Sequence, residues 1–145
     1  MTLTQEQIEV ICGIARGHTL HRIARTLRIS HGAARKRLQA ATRSAGITTP
    51  RAQAPLVDYA YREGYLAGLP PEPRSPVHLG PRLEELLDAY ARGLTTADIV
   101  AETGTTRSTI TDRRDLLLDL LGAHSPAHAV ALAWQQALTT SGRQP

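Results

Sequence analysis

The chain has 145 residues, 41% apolar and 21% charged, room for one ordinary domain or two very small ones with a buried core. Aromatics are only 3%, with no Phe, one Trp and four Tyr, too few for a β-sandwich, whereas abundant Ala, Leu and Arg suit helices. A single Cys, Cys12, excludes an internal disulfide framework and a four-Cys or two-Cys-two-His zinc centre. The net charge of +4 points toward a polyanionic partner.

In chain order, Thr4 is the expected N-cap of a first helix carrying Val10, Ile11 and Ile14 on one face and closed by Gly17. Thr19 caps a short second helix with Leu20, Ile23, Ala24 and Leu27. Ser30 caps a third that ends at Gly46, and Thr49-Pro50 opens a fourth through Leu56, Val57, Ala60 and Tyr61 to Gly64. Next comes Ala67 to His78, AGLPPEPRSPVH, where Pro70, Pro71, Pro73 and Pro76 remove backbone donors and fix φ. This reads as a stiff linker of about 35 Å at roughly 3.1 Å per residue. The plan then repeats: Leu83, Leu86, Leu87 and Tyr90 to Gly93, Thr95 through Ile99 to Thr103, Thr106 through Leu121 to Gly122, and Ser125-Pro126 through Val130, Leu132 and Trp134. Placing Gly17 on Gly93 aligns Ala15-Arg16-Gly17 with Ala91-Arg92-Gly93, Thr19 with Thr95, Ile23 with Ile99 and Arg37 with Arg113, at a constant offset of 76. The expectation is an all-α fold of two tandem four-helix domains, 1–66 and 79–145, joined by the Pro-rich linker 67–78.

Two short helices with the second capped by Ser or Thr make a helix-turn-helix. On the third helix Ala34, Leu38, Ala41 and Ala45 form an inward stripe. Arg35, Lys36, Gln39 and Arg43 fall opposite, with Arg37 at the margin. Arg or Lys can donate to guanine O6/N7 and Gln can pair with adenine in the major groove, so Arg35, Lys36 and Gln39 are the candidate base-reading residues. Arg22, Arg25, Arg28, Ser30, Arg37 and Arg43 are candidate phosphate contacts. The bland alternative is an ordinary solvated cationic face.

The seventh helix departs from this pattern. Thr111, Asp112, Asp115 and Asp119 stand where the third carries Arg35, Lys36, Gln39 and Arg43. Residues 1–66 hold ten Arg/Lys against four Asp/Glu, residues 79–145 six against eight. Arg107, Thr111, Arg113 and Arg114 remain as secondary contacts to DNA or a partner. Leu116 and Leu120 are apolar beyond the needs of the inner stripe, Ile110, Leu117 and Leu121. With Tyr61 and Trp134 they make up a candidate dimer or partner face, since large aromatics anchor interfaces.

LTQEQIEVICGIARG, HRIARTLRIS, HGAARKRLQAATRSAGI and PLVDYAYREGYL resemble the LuxR-type (GerE-like) helix-turn-helix domain, with an apparent two-residue insertion near Ala54-Pro55. LGPRLEELLDAYARG, TTADIVAETGTT, RSTITDRRDLLLDLLGA and SPAHAVALAWQQAL resemble it again. ISHGAARKRLQAA also looks like region four of bacterial sigma factors, and the fourth helix favours the LuxR type. The resemblance implies a bacterial transcription regulator that dimerises through its fourth helix, with base contacts at Arg35, Lys36 and Gln39. The first copy departs at Arg28, where Gly is usual in the turn, and at Ala33-Ala34, where Thr-Val is usual. The second departs at the contacts themselves.

His18 with His21, and His124 with His128, invite a metal reading but have no evident third ligand. Cys12 reads as a small buried residue. No GxSxG, P-loop or Gly-rich dinucleotide pattern occurs, so neither an enzyme, a cofactor nor a metal is expected. No apolar run approaches the roughly 18 residues of a membrane span, and MTLTQEQIEV lacks the look of a signal peptide. The expected protein is thus soluble, cytoplasmic and nucleoid-associated, and by the resemblance a homodimer on double-stranded DNA read by its N-terminal copy. The competing expectation is an adaptor that binds RNA polymerase, a sigma factor or another regulator.

Overall fold

Among the described residues, six of the eight helices start where a Ser or Thr accepts a hydrogen bond from the backbone three residues on. In a computed structural model describing residues 2–136, the helices are α1 (Gln5–Ala15), α2 (Leu20–Leu27), α3 (His31–Ser44), α4 (Gln53–Arg62), α5 (Pro81–Ala91), α6 (Thr96–Thr103), α7 (Arg107–Leu121) and α8 (Pro126–Gln135). Thr4, Thr19, Ser30, Thr95, Thr106 and Ser125 each take a backbone N–H that the helix would otherwise leave unpaired. There is no strand among the described residues, and the last part of the expected second unit, 137–145, lies outside them.

The fourth helix corrects one expectation. It begins at Gln53, not at Thr49-Pro50, and its N-cap, Ala52, makes no side-chain cap. Pro55 explains the start, because proline is tolerated only in a helix's first turn. The helices α1, α2 and α3 recur as α5, α6 and α7 at an offset of 76, whereas α4 recurs as α8 at 73. The extra chain between Gly46 and α4 is therefore three residues, not two, and it precedes the helix.

Within residues 5–62, α3 packs on α1 and α2, and α4 on α1. Within 81–135, α7 packs on α5 and α6, and α8 on α5. The most extensive contact of all joins α4 to α8, and it is flanked by α1 against α8 and α5 against α4. Each flank is the other's equivalent, which is the signature of a two-fold relation rather than a translation. Two pairs confirm the relation residue by residue. Gly17 abuts His128, and Gly93 abuts Pro55 and Thr49. On the axis Tyr61 stacks on its own counterpart Trp134, with ring centroids 5.7 Å apart and planes 9° from parallel.

The core is continuous across this seam. Ile11, Val57, Leu56, Leu87, Val130 and Leu132 belong to one cluster. Asp58, 5% exposed, sits within it and is fully engaged. Trp134 Nε1 donates to one carboxylate oxygen and Arg62 to the other, each at 2.8 Å. Gln135 donates to the Tyr61 hydroxyl at 2.8 Å. The expectation that Tyr61 and Trp134 face another molecule thus meets an intramolecular stack.

Residues 70–80 carry no helix and bind back across the seam instead of standing off as a free spacer. The Glu72 N–H donates to Gln135 at 2.8 Å, Arg74 donates to the Gly122 carbonyl, and Arg16 donates to the Pro70 carbonyl. His128, buried, accepts the His124 N–H at Nδ1, which leaves its proton on Nε2 to donate to Glu72 at 2.9 Å. Burial lowers its pKa from 6.5, and the Glu72 carboxylate offsets this only in part. For Glu72 burial raises the pKa, but the His128 hydrogen bond and the charges of His128, Arg16 and Arg74 outweigh it and hold the carboxyl below its usual range.

Two predictions follow from the seam. Gly17 and Gly93 have φ of +81° and +82°, and a Cβ on Gly17 would lie 2.5 Å from His128 Nδ1. Gly46, at φ +74°, has nothing within 4 Å of its Cβ position. In urea unfolding Gly46→Ala should cost only the roughly 1–2 kcal/mol of a left-handed L-residue, and Gly17→Ala and Gly93→Ala clearly more; equal losses at all three would contradict the close approach. In the second, the unfolded chain takes up a proton at the ordinary histidine value of 6.5 while folded His128 resists it. Stability is then complete above that pH and declines as pH falls below it, with a further loss below 4.5 from Glu72. Unfolding measured from neutral to acid pH should show both steps in the native chain and a smaller first step in His128→Gln, where His18 and His31, also lowered, supply the remainder; an unchanged profile in that variant would refute the assignment.

Candidate nucleic-acid interface

The turn between α2 and α3 is short because the chain reverses through one left-handed residue. Arg28 adopts φ 58° and ψ 44°, the only non-glycine residue with positive φ among those described. Its equivalent in the other half is Gly104, at φ 69°. Ile29 N–H then reaches back to the Ala24 carbonyl, and Ser30 Oγ accepts from Ala33 N–H at 3.0 Å. Ser30 therefore spends its side-chain oxygen on the cap, which orients α3 and leaves the hydroxyl proton as its outward donor.

On α3 the inward stripe is Ala34, Leu38 and Ala41, all buried, with Ala45 half-buried. Small residues at three of these four positions let α3 lie close against α1 and α2. The opposite side presents Arg35, Lys36, Gln39 and Arg43, all exposed, and α2 with its turn adds exposed Arg22, Arg25 and Arg28. None of Arg22, Arg25, Arg28, Lys36 or Arg43 has an ion-pair partner among the described residues. Arg37 differs. It is half-buried and paired with Glu6 at 3.2 Å, so it braces α3 against the start of α1.

Sequence reasoning missed one contribution to this surface. His31, in the first turn of α3, stacks on His21 of α2 with centroids 4.0 Å apart and planes 11° from parallel. Its Nδ1 accepts from Arg35 at 3.3 Å. Desolvation by the neighbouring groups, then the charges of His21 and Arg35, lower the His31 pKa, which keeps Nδ1 free to accept. The pair ties α2 to α3 and directs the Arg35 guanidinium. The four-residue step from His31 to Arg35 was visible in the sequence; the stack across the turn was not.

The second half presents the other chemistry. Thr111, Asp112, Asp115 and Asp119 are exposed on α7, as is Arg107, whereas Arg113 and Arg114 are half-buried and Arg114 lies 3.9 Å from Asp115. Leu116 and Leu120 are 50% and 42% exposed, the exposed large apolar side chains among the described residues. Of the four residues expected on a partner face, only these two are outward. Cys12 is half-buried and burial pushes its thiol pKa up. No group of three His, Cys, Asp or Glu that could hold a metal occurs among the described residues, and no single helix is long and apolar enough to cross a membrane. A cleft of about 510 Å³ runs along the seam, lined in part by Arg51, Tyr90, Arg114 and Ser125, and α3 takes no part in it.

None of the family models, curated proteins or solved structures compared with the chain matches it.

Proposed function

We propose that the chain is a DNA-binding transcription regulator made of two helix-turn-helix units paired within one molecule, 1–66 and 79–145, with 67–78 strapped over their junction. The reading unit is the first. Its α3 enters the major groove, Arg35, Lys36 and Gln39 reach base edges, and Arg22, Arg25, Arg28 and Arg43 meet phosphates together with the N-termini of α2 and α3. The observation that carries this reading is the single stripe of exposed cations on α3 and the adjoining turn, without ion-pair partners and opposite the buried stripe.

The internal pairing alters what the family resemblance implies about oligomers. Dimerisation through the fourth helix is already satisfied between α4 and α8 of one chain, so one molecule supplies one pair. Only one of its two recognition-type helices is cationic, and the acidic face of α7 would be repelled by phosphate. Each chain therefore reads one half-site. The adaptor reading for RNA polymerase, a sigma factor or another regulator draws its support from Leu116 and Leu120, and it fits the second unit beside DNA reading by the first.

Fluorescence anisotropy on a pool of duplexes selected for binding tests the proposal. Arg35→Ala and Lys36→Ala should each weaken selected-site binding by the roughly 1–3 kcal/mol of a base contact, while Asp112→Ala leaves it unchanged or tighter. Affinity should fall with salt at a log–log slope of about −0.9 per phosphate neutralised. A flat salt response, or equal losses from the α3 and α7 variants, would overturn it.

A further inference from the structure

The equivalence of α3 and α7 extends to their outward side chains, with the charge reversed at two positions. At the offset of 76 relating the two helices, Lys36 corresponds to Asp112, Gln39 to Asp115 and Arg43 to Asp119, and all six are exposed. On each helix the two outer positions of this set lie seven residues apart, about 10.5 Å along the axis. Lys36 and Arg43 can therefore meet Asp119 and Asp112 together when the helices lie antiparallel, the direction their dipoles also favour. Leu116 and Leu120 border the acidic row one turn apart, and both are outward. In that antiparallel register Leu116 lies beside Ala40, a small residue that leaves it room, and Leu120 beside the aliphatic stem of Lys36. The same complementarity holds at long range, with residues 1–66 carrying a surplus of cations and 79–145 a surplus of carboxylates.

We propose that the acidic, leucine-edged face of α7 is a docking surface for α3 of a second copy of this chain. Docking hides Arg35, Lys36 and Arg43 beneath a helix whose carboxylates take the place of the duplex. The reading surface is then masked by mass action and released when duplex competes for it. A face-to-face pairing of two α7 helices is disfavoured, because it would set Asp112, Asp115 and Asp119 against one another. Exposed ion pairs are individually weak and screened by salt, so the association is a weak one, seen at high protein concentration and low ionic strength. It rests on the charge pattern of α3 and α7 and stands whether or not α3 reads DNA.

Charge exchange tests it on the full chain. One variant carries Lys36→Glu and Arg43→Glu, so that both outward rows are acidic; the other carries Asp112→Lys and Asp119→Lys, so that both rows are basic. All four positions are exposed, and matching circular dichroism and melting curves establish that the variants fold. By sedimentation velocity the native chain should shift from the mass of one chain toward two or more as concentration rises. That shift should vanish at about 1 M salt, where the screening length is about 3 Å. Each variant alone should remain at the mass of one chain, and an equimolar mixture of the two should associate again. A native chain that stays single at every concentration, a variant that associates by itself like the native chain, or a mixture that stays single overturns the proposal. So does a mixture that stays single while the native α7 face binds a Leu/Lys helical peptide in a Leu116→Ala-sensitive manner, which would give the surface to a different protein. In a parallel arm, a native chain that self-associates but binds no duplex would overturn the reading of α3 on DNA and leave this one intact.

Discussion

The buried Asp58 is the constraint on which the rest of the molecule depends. A carboxylate taken out of water is costly unless its oxygens are bonded, and here one oxygen has Trp134 and the other Arg62. Around it α8 offers mostly alanine, with Ala127, Ala129, Ala131 and Ala133 all buried. Such a surface permits close approach but defines register poorly, since one alanine packs much like the next. The Asp58–Trp134 hydrogen bond, the Tyr61–Trp134 stack and the Gln135–Tyr61 hydrogen bond allow one register and exclude its neighbours. An aromatic-poor chain concentrates its one Trp and a Tyr at this point.

Once that register is set, the positions of α3 and α7 are no longer independent. Each is carried by helices that pack on the seam, α1 on α8 and α5 on α4, and the segment from Pro70 to Val77 ties the junction through Arg16, His128, Gln135 and Gln136. A pair held in one chain is freed from the symmetry that a homodimer imposes. Its two outward helices can diverge, and here they have done so to opposite charge. Exposed cations lie on one side of the pair and a leucine-edged acidic face on the other.

What was legible in the sequence was local. The caps at Thr4, Thr19, Ser30, Thr95, Thr106 and Ser125, the inward stripe Ala34–Leu38–Ala41 and the outward set Arg35, Lys36, Gln39 and Arg43 follow from spacing and side-chain chemistry within a helix. Thr49-Pro50 imitates Ser125-Pro126 and so mimics a helix start, whereas Pro55 is the better marker of where α4 begins. The destination of Tyr61 and Trp134 was beyond reach for a different reason. A large aromatic on a fourth helix meets a partner in either case, and only the fold decides whether that partner belongs to the same chain. The Glu72–His128 bond joins residues 56 apart, and no periodicity announces a contact between a proline-rich stretch and a helix beyond it.

The claim that the seam is keyed by Asp58 and Trp134 is tested most directly by a double-mutant cycle in urea. Asp58→Ala, Trp134→Phe and the double variant are compared for unfolding free energy. Residues that share a buried hydrogen bond couple by roughly 0.5–3 kcal/mol, and the cycle should give a coupling in that range. Losses that add to within about 0.3–0.5 kcal/mol would mean that the two side chains do not meet, and the internal pairing would have no key.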